Sequence, residues 1–327
     1  MEYRRLGKTG REVSVIGFGA WAIGGSWGSV DDARSLRALH AAADAGVTLI
    51  DTADVYGDGR SERLIGRFLR ERPGEPFFVA TKMGRDAPLV MASYTPEAFR
   101  RWVDRSRDNL GVDRLDLVQL HCLPTPAYYR PDLFAALDEL VADGSIAAYG
   151  VSVEKVEEGL KAIEFPGVAT VQIIFNIVRQ RPAERFLAEA ARRDVGVLAR
   201  VPLASGLLTG KLTRDTAFEA TDHRAFNRHG EEFDAGETFS GVDYETGLAF
   251  VDELRALVPE SATMAQLALR WILMHEGVTA AIPGGKTPEQ ARANAAAAGL
   301  PPLPQATMDR IADLYEARIK PLVHQRW

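Results

Sequence analysis

Val47-Thr48-Leu49-Ile50-Asp51-Thr52-Ala53-Asp54-Val55-Tyr56-Gly57 is an apolar run that stops at a carboxylate and is followed by a tyrosine. A run of this length reads as a buried strand whose end carries a polar group. The shape recurs along the chain. Phe77 to Ala80 stops at Thr81-Lys82, Leu115 to Leu120 delivers His121, Ile146 to Val151 stops at Ser152, and Val195 onward ends at Arg200. Val15 to Phe18, Thr170 to Ile173 and Val278 to Ile282 complete a set of short apolar strands.

Helical patterns separate these strands. Asp31 is placed to cap a helix through Leu36, Leu39 and Ala43 to Gly46. Ser61 opens one with Leu64, Ile65, Phe68 and Leu69 on one face, and Thr95-Pro96-Glu97 pairs a cap with proline in the first turn. Further helices are expected over Leu133 to Leu140 and Pro288 to Ala297. Strands alternating with helices predict parallel β/α units, and eight of them predict a (β/α)8 TIM barrel. Tyr3 to Leu6 and Glu12 to Ser14, around Gly7-Lys8-Thr9-Gly10, predict an N-terminal β-hairpin. From 207 to 243 the pattern fails, and a long polar surface loop after strand seven is expected, with His223 and His229 solvated. The 323–327 tail is expected to fray. One domain over 1–327 accommodates all of this.

Composition narrows the function. A net charge of −6 argues against nucleic acid or an anionic membrane as partner. No run approaches the ~18 apolar residues of a membrane span, and the opening residues lack a signal peptide's apolar stretch. The single cysteine, Cys122, rules out an intrachain disulfide and a cysteine-rich metal site. No metal is expected, the cytoplasm is the expected compartment, and the oligomeric state is left open.

In barrels the chemistry lies at the carboxyl ends of the strands, where Asp51, Lys82, His121, Ser152 and Arg200 converge. A tyrosine hydroxyl, with a pKa of about 10, is a poor proton donor to a carbonyl unless tuned. An adjacent ammonium stabilises the phenolate, a carboxylate keeps the ammonium charged, and a neutral histidine orients a carbonyl oxygen. Tyr56, Lys82, Asp51 and His121 are those four types.

From Leu6 to about Asn294 the chain resembles the aldo-keto reductase family. The likeness is carried by Gly17-Phe18-Gly19-Ala20-Trp21, Asp51 to Gly57, Thr81-Lys82, Gln119-Leu120-His121, Gly150-Val151-Ser152, Val171-Gln172, Pro202 to Leu208 and Ile282-Pro283-Gly284. The resemblance implies an NADPH-dependent reductase of aldehydes or ketones, with NADH the lesser cofactor. Tyr56 would be the general acid, tuned by Lys82 and Asp51, with His121 orienting the carbonyl.

It further implies a cofactor site of Gly19, Ala20, Trp21, Asp51, Ser152, Gln172, Arg200, Pro202, Leu203, Ser205, Gly206, Gly284, Lys286, Gln290 and Asn294. Ser152 and Gln172 match carboxamide positions, Leu203 and Ser205 the pyrophosphate loop, and Lys286, Gln290 and Asn294 the adenosine end. Three departures stand out: Val153 follows Ser152 in place of asparagine, Arg200 replaces a stacking aromatic, and Gly284-Gly285 replaces Lys-Ser. Some relatives of the family are redox-sensing regulatory subunits, which is the second reading. A lyase using Lys82 as nucleophile is a third.

Overall fold

The computed structural model describes residues 1–25, 27 and 31–327. Its hairpin pairs β1 (Tyr3–Arg5) with β2 (Glu12–Ser14) antiparallel. Eight parallel strands follow: β3 (Phe18–Gly19), β4 (Leu49–Asp51), β5 (Phe78–Met83), β6 (Leu117–His121), β7 (Tyr149–Val153), β8 (Val168–Ile174), β9 (Gly196–Arg200) and β10 (Ala280–Ala281). Each pairs with its neighbour in sequence, and bridges Ile16↔Ala281 and Gly19↔Gly284 join the last strand to the first. Gly17 N–H donates to the Ala281 carbonyl at 2.8 Å, and Ala281 N–H to that of Val15 at 2.9 Å. At this seam Gly19 is required: a Cβ there would lie 2.8 Å from the Ile282 carbonyl oxygen.

The period-two alternation of strands sorts the side chains. Ile50, Val79, Val118 and Val197 face outward and pack with Leu36, Leu39, Phe68, Phe99 and Phe134 of the surrounding helices. Leu49, Phe78, Ala80, Leu117, Leu198 and Ala280 face inward, where Leu6 and Val13 of the hairpin join them. The hairpin is thus a stopper in the amino-terminal end of the barrel. Its turn lies so near β9 that a Cβ on Gly7 would fall 2.2 Å from Gly196 N.

Continuing the inward alternation by one step places Asp51, Lys82 and Arg200 at the opposite end, and two steps beyond Leu117 place His121 there. These residues lie within strands, not just beyond them as expected. The strand at 117–121 also begins two residues later than predicted, and the last strand spans only Ala280–Ala281. The predicted helices are present as Asp32–Asp44, Arg60–Glu71, Pro96–Leu110, Pro131–Ala142 and Pro288–Ala296. Asp31 Oδ1 accepts from Arg34 N–H at 2.8 Å, as a cap should. The helix at 60–71 is preceded by Gly59, not capped by Ser61.

Two expectations are corrected. The 207–243 segment includes a helix at His223–Phe226, and His223, Asn227, Thr238, Phe239 and Ser240 are buried. The 323–327 tail is docked: Val323 and Trp327 are buried, and Trp327 Nε1 donates to Asp234 Oδ1 at 2.8 Å. Among the described residues no helix is long and apolar enough to cross a membrane.

Candidate active site

Lys82 sits at the centre of the barrel's carboxyl end, 1% exposed. Its Nζ donates to Asp51 Oδ1 at 2.7 Å, to the Thr52 carbonyl at 2.8 Å and to Tyr56 Oη at 3.3 Å. An ammonium has three protons, and these three acceptors match them. The Tyr56 ring lies edge-to-face with His121, centroids 5.9 Å apart, and stacks on Trp21 at 6.1 Å. The four residue types singled out from sequence therefore meet in one place. Asp51 is held from its other side by Gln172, whose Nε2 donates to Oδ2 at 2.7 Å. That second bond fixes the carboxylate in the orientation that meets Lys82.

Burial and charge set the protonation states. Burial works to deprotonate Lys82, but Asp51 outweighs it, with help from Tyr56, and the ammonium is held above its ordinary range. Burial likewise pushes the Tyr56 hydroxyl up. Lys82 pulls it down, and Asp51 and Glu237 push it further up, so the net direction is upward, against the sequence-based expectation. Tyr56 therefore keeps its proton at neutral pH. His121 is driven well below its usual pKa, first by burial and then by Arg85, Lys82 and Arg200, so its ring is neutral.

Around this centre runs a charge network that the motifs did not reveal. Arg200 Nη2 lies 2.8 Å from Glu154 Oε2 and donates to the Val153 carbonyl at 3.1 Å. Arg85 Nη2 donates to Glu237 Oε1 at 2.8 Å and to Glu154 Oε1 at 3.3 Å. Burial raises the Glu154 carboxyl, whereas Arg85 and Arg200 outweigh burial at Glu237 and lower it. Cys122, Glu154 and Glu237 are close enough to share a cation. The two guanidiniums already balance both carboxylates, and burial lifts the Cys122 thiol to about 12, so these residues suit an ion-pair network better than a metal.

The other expected cofactor residues lie along the same rim. Gly19 ends β3, Ala20 N–H donates to the Asp51 carbonyl at 2.8 Å, and Trp21 forms a wall beside Tyr56. Ser152 lies near the end of β7, its Oγ 3.6 Å from Cys122 Sγ. After β9 the backbone turns through Pro202 and Leu203, and Val201, Ala204, Ser205 and Gly206 all adopt positive φ. Successive turns of this kind gather N–H groups into an anion-holding concavity. The Ser205 hydroxyl donates to the Glu237 carbonyl at 3.0 Å and accepts from Phe239 N–H at 3.1 Å, pinning the 207–243 segment. At the far end Gln290 Oε1 accepts from Lys286 N–H at 2.8 Å, and Asn294 Nδ2 donates to the Gly284 carbonyl at 3.1 Å.

Sequence reasoning missed several residues here. His223, read as solvated, is fully buried, with ring centroids 4.7 Å from Trp21 and 4.3 Å from Trp27. Trp27 bridges to Asp222, which ties this residue of the first β/α unit to the segment after β9. Asp54 is buried, and burial together with Glu62 raises it to about 7. Trp327 lies under the guanidinium of Arg179, 4.1 Å from its ring, and its carbonyl accepts from Arg181. The aromatic residues around 218–244 were the available signal for a folded segment there.

The sequence profile described as the Aldo/keto reductase family matches residues 15–316. The chain is 33% identical over 297 residues to "Aldo-keto reductase YhdN" of Bacillus subtilis, covering 90% of this chain and 87% of that protein. It is 31% identical to the "NADH-specific methylglyoxal reductase" of Escherichia coli, over 89% of this chain and 92% of that one. Among solved structures, the glycerol dehydrogenase AKR11B4 from Gluconobacter oxydans superposes with a TM-score of 0.77 at 32% identity, covering 94% of this chain and 93% of the other. A closed parallel barrel with a polar rim, and sequence likeness along nearly its whole length, lead to one conclusion: this protein is an oxidoreductase that belongs to the aldo/keto reductase family.

Proposed function

We propose that the chain, acting as one domain over residues 1–327, reduces the carbonyl of a small aldehyde or ketone with NADPH. The observation that carries this reading is the buried Lys82 ammonium, bonded at once to Asp51 and Tyr56 beside a neutral His121. NADPH, when bound, supplies the hydride that the carbonyl carbon accepts. Tyr56 transfers its hydroxyl proton to the carbonyl oxygen as negative charge develops there. Lys82 stabilises the phenolate left behind, and Asp51, steadied by Gln172, keeps Lys82 charged and in register. His121, neutral because it is buried among cations, donates a hydrogen bond that aims the oxygen at Tyr56.

The residues present fit the nucleotide. The left-handed turn at 201–206, whose Ala204 and Gly206 N–H groups bond within it to the Val201 and Leu203 carbonyls, would meet a pyrophosphate at Leu203 and Ser205. Trp21, Ser152 and Arg200 would border the nicotinamide end, and Lys286 would supply a cation at the adenosine end. Lys82 as a Schiff-base nucleophile is disfavoured, because that chemistry needs a neutral amine and Asp51 holds this one protonated.

Steady-state oxidation of NADPH against a panel of aldehydes and ketones tests the proposal, with Tyr56→Phe alongside. The variant should lose about 10²- to 10⁴-fold in turnover, as removal of a general acid does, and still bind nucleotide. A protein that binds NADPH yet turns over no carbonyl would support the redox-sensing role instead.

A further inference from the structure

Gln119 belongs to the Gln119-Leu120-His121 stretch but takes no part in the chemistry described above. Strand register fixes its surroundings. Lys82 pairs with Gln119, Gln119 with Gly150, and Gly150 with Thr170. Residues paired in parallel strands point to the same side of the sheet, and Lys82 points inward, so all four line one inward row. Leu117 lies one inward step below Gln119, and His121 one step above it. The row therefore separates the apolar floor of the barrel from its reactive rim.

Gln119 and Thr170 are fully buried. Neither end of the Gln119 carboxamide, Oε1 or Nε2, nor the Thr170 hydroxyl has a hydrogen-bond partner among the described residues. The same holds for Nδ1 of the buried His121 ring. The Thr170 hydroxyl leans over Gly150, where a Cβ would fall 2.1 Å from its Oγ1. Because Gly150 has no side chain, only one strand spacing, about 4.8 Å, separates that hydroxyl from the strand of Gln119. Buried amides and hydroxyls are as a rule paired. Three such groups at neighbouring inward positions supply the two to four polar partners that an internal water needs.

We propose that Gln119 and Thr170 hold an internal water that donates a hydrogen bond to His121 Nδ1 and so fixes which ring nitrogen carries the proton. A neutral imidazole has one donor and one acceptor nitrogen, and the bond made by one of them sets the tautomer of the ring. With Nδ1 accepting from the water, the proton resides on Nε2, the nitrogen left to donate to a carbonyl oxygen. A carboxamide and a hydroxyl can each donate or accept, so both anchor the water while one of its hydrogens points at Nδ1. Gln119 and Thr170 are thus positioning residues that act through His121. The inference rests on the reading of His121 as the group that orients the substrate, and adds to it the polar row beneath.

The test is the tautomer itself, read from the ring-nitrogen couplings of protein carrying isotope-labelled histidine, with the His121 signals identified by their loss in His121→Gln. The wild type should show an Nε2–H ring with a hydrogen-bonded Nδ1. Gln119→Leu and Thr170→Val each remove one anchor at nearly constant volume. In both, the Nδ1 resonance should move downfield, toward that of an unbonded nitrogen, and the Nδ1–H form should gain. Turnover of an aldehyde should fall by roughly tenfold in kcat, less than the 10²- to 10³-fold loss of a donor removed outright, with the Kd for NADPH unchanged. An Nδ1–H ring in the wild type, or His121 signals that a folded variant leaves in place, overturns the proposal even if kcat falls. Should one variant fail to fold, the other decides. The signals are read without turnover, so a wild type that reduces no carbonyl yet shows the expected changes overturns the reductase reading and supports the water site.

Discussion

Lys82→Met is the perturbation that examines the proposed chemistry most directly. Methionine preserves length and removes the charge. At 3.3 Å and an effective dielectric of about 20, an ammonium stabilises a full phenolate by about 5 kcal/mol. With the proton about half transferred in the transition state, roughly half of that is lost, a fall of about 100-fold in kcat. Folding suffers separately. Asp51 would stay buried and charged, with the neutral Gln172 amide as its remaining side-chain donor among the described residues, and breaking a buried pair by removing one member costs about 3–5 kcal/mol. The double variant Lys82→Met, Asp51→Asn removes the stranded charge, so thermal unfolding should recover while turnover does not. The assay is kcat and KM for an aldehyde with saturating NADPH, beside a melting curve for each variant. Turnover within about threefold of wild type in Lys82→Met would falsify the assignment of Lys82 as the group that tunes Tyr56.

Other expectations follow from single contacts. Asp54, raised from 3.8 to about 7 in the folded state, favours the native protein below pH 3.8, and that contribution is lost as pH rises through 7. Asp54→Asn should therefore melt near the wild type at pH 4 and above it at pH 8, by at most roughly 4 kcal/mol; an unchanged gap between the two pH values would sink the argument. Trp327→Ala removes a ring that meets Arg179 and fills the space against Gly236 and Gly241. It should destabilise by about 3 kcal/mol and speed amide exchange across 234–241, whereas a frayed tail would leave both unaltered.

The strand-end positions of Asp51, Lys82 and His121 were legible because an apolar run that ends in a charge has few structural interpretations. The barrel followed from their repetition. Strand limits were misjudged for a physical reason: the interior of this barrel is polar at its carboxyl end, so hydrophobicity stops before the hydrogen-bonded ladder does. Lys82 and Met83 belong to β5, although the apolar stretch ended at Ala80. The 207–243 segment was misjudged for the opposite reason. Its charges suggested exposure, yet Glu237 is buried because Arg85, more than a hundred residues earlier, neutralises it. Pairing across such a separation leaves no local pattern. His223 was hidden in the same way, since its partners Trp21 and Trp27 come from the first β/α unit. The docking of Trp327 depends on Asp234, Gly236 and Gly241 and was equally out of reach of any short-range rule.

The apolar stopper made by Leu6 and Val13 bears on how such a molecule can diversify. Because the seal sits at one pole and the reacting groups at the other, loops at the reactive pole can lengthen, shorten or change character while the seal goes on excluding water. New specificities thus become reachable by small steps, each tolerated by a fold whose integrity is secured elsewhere.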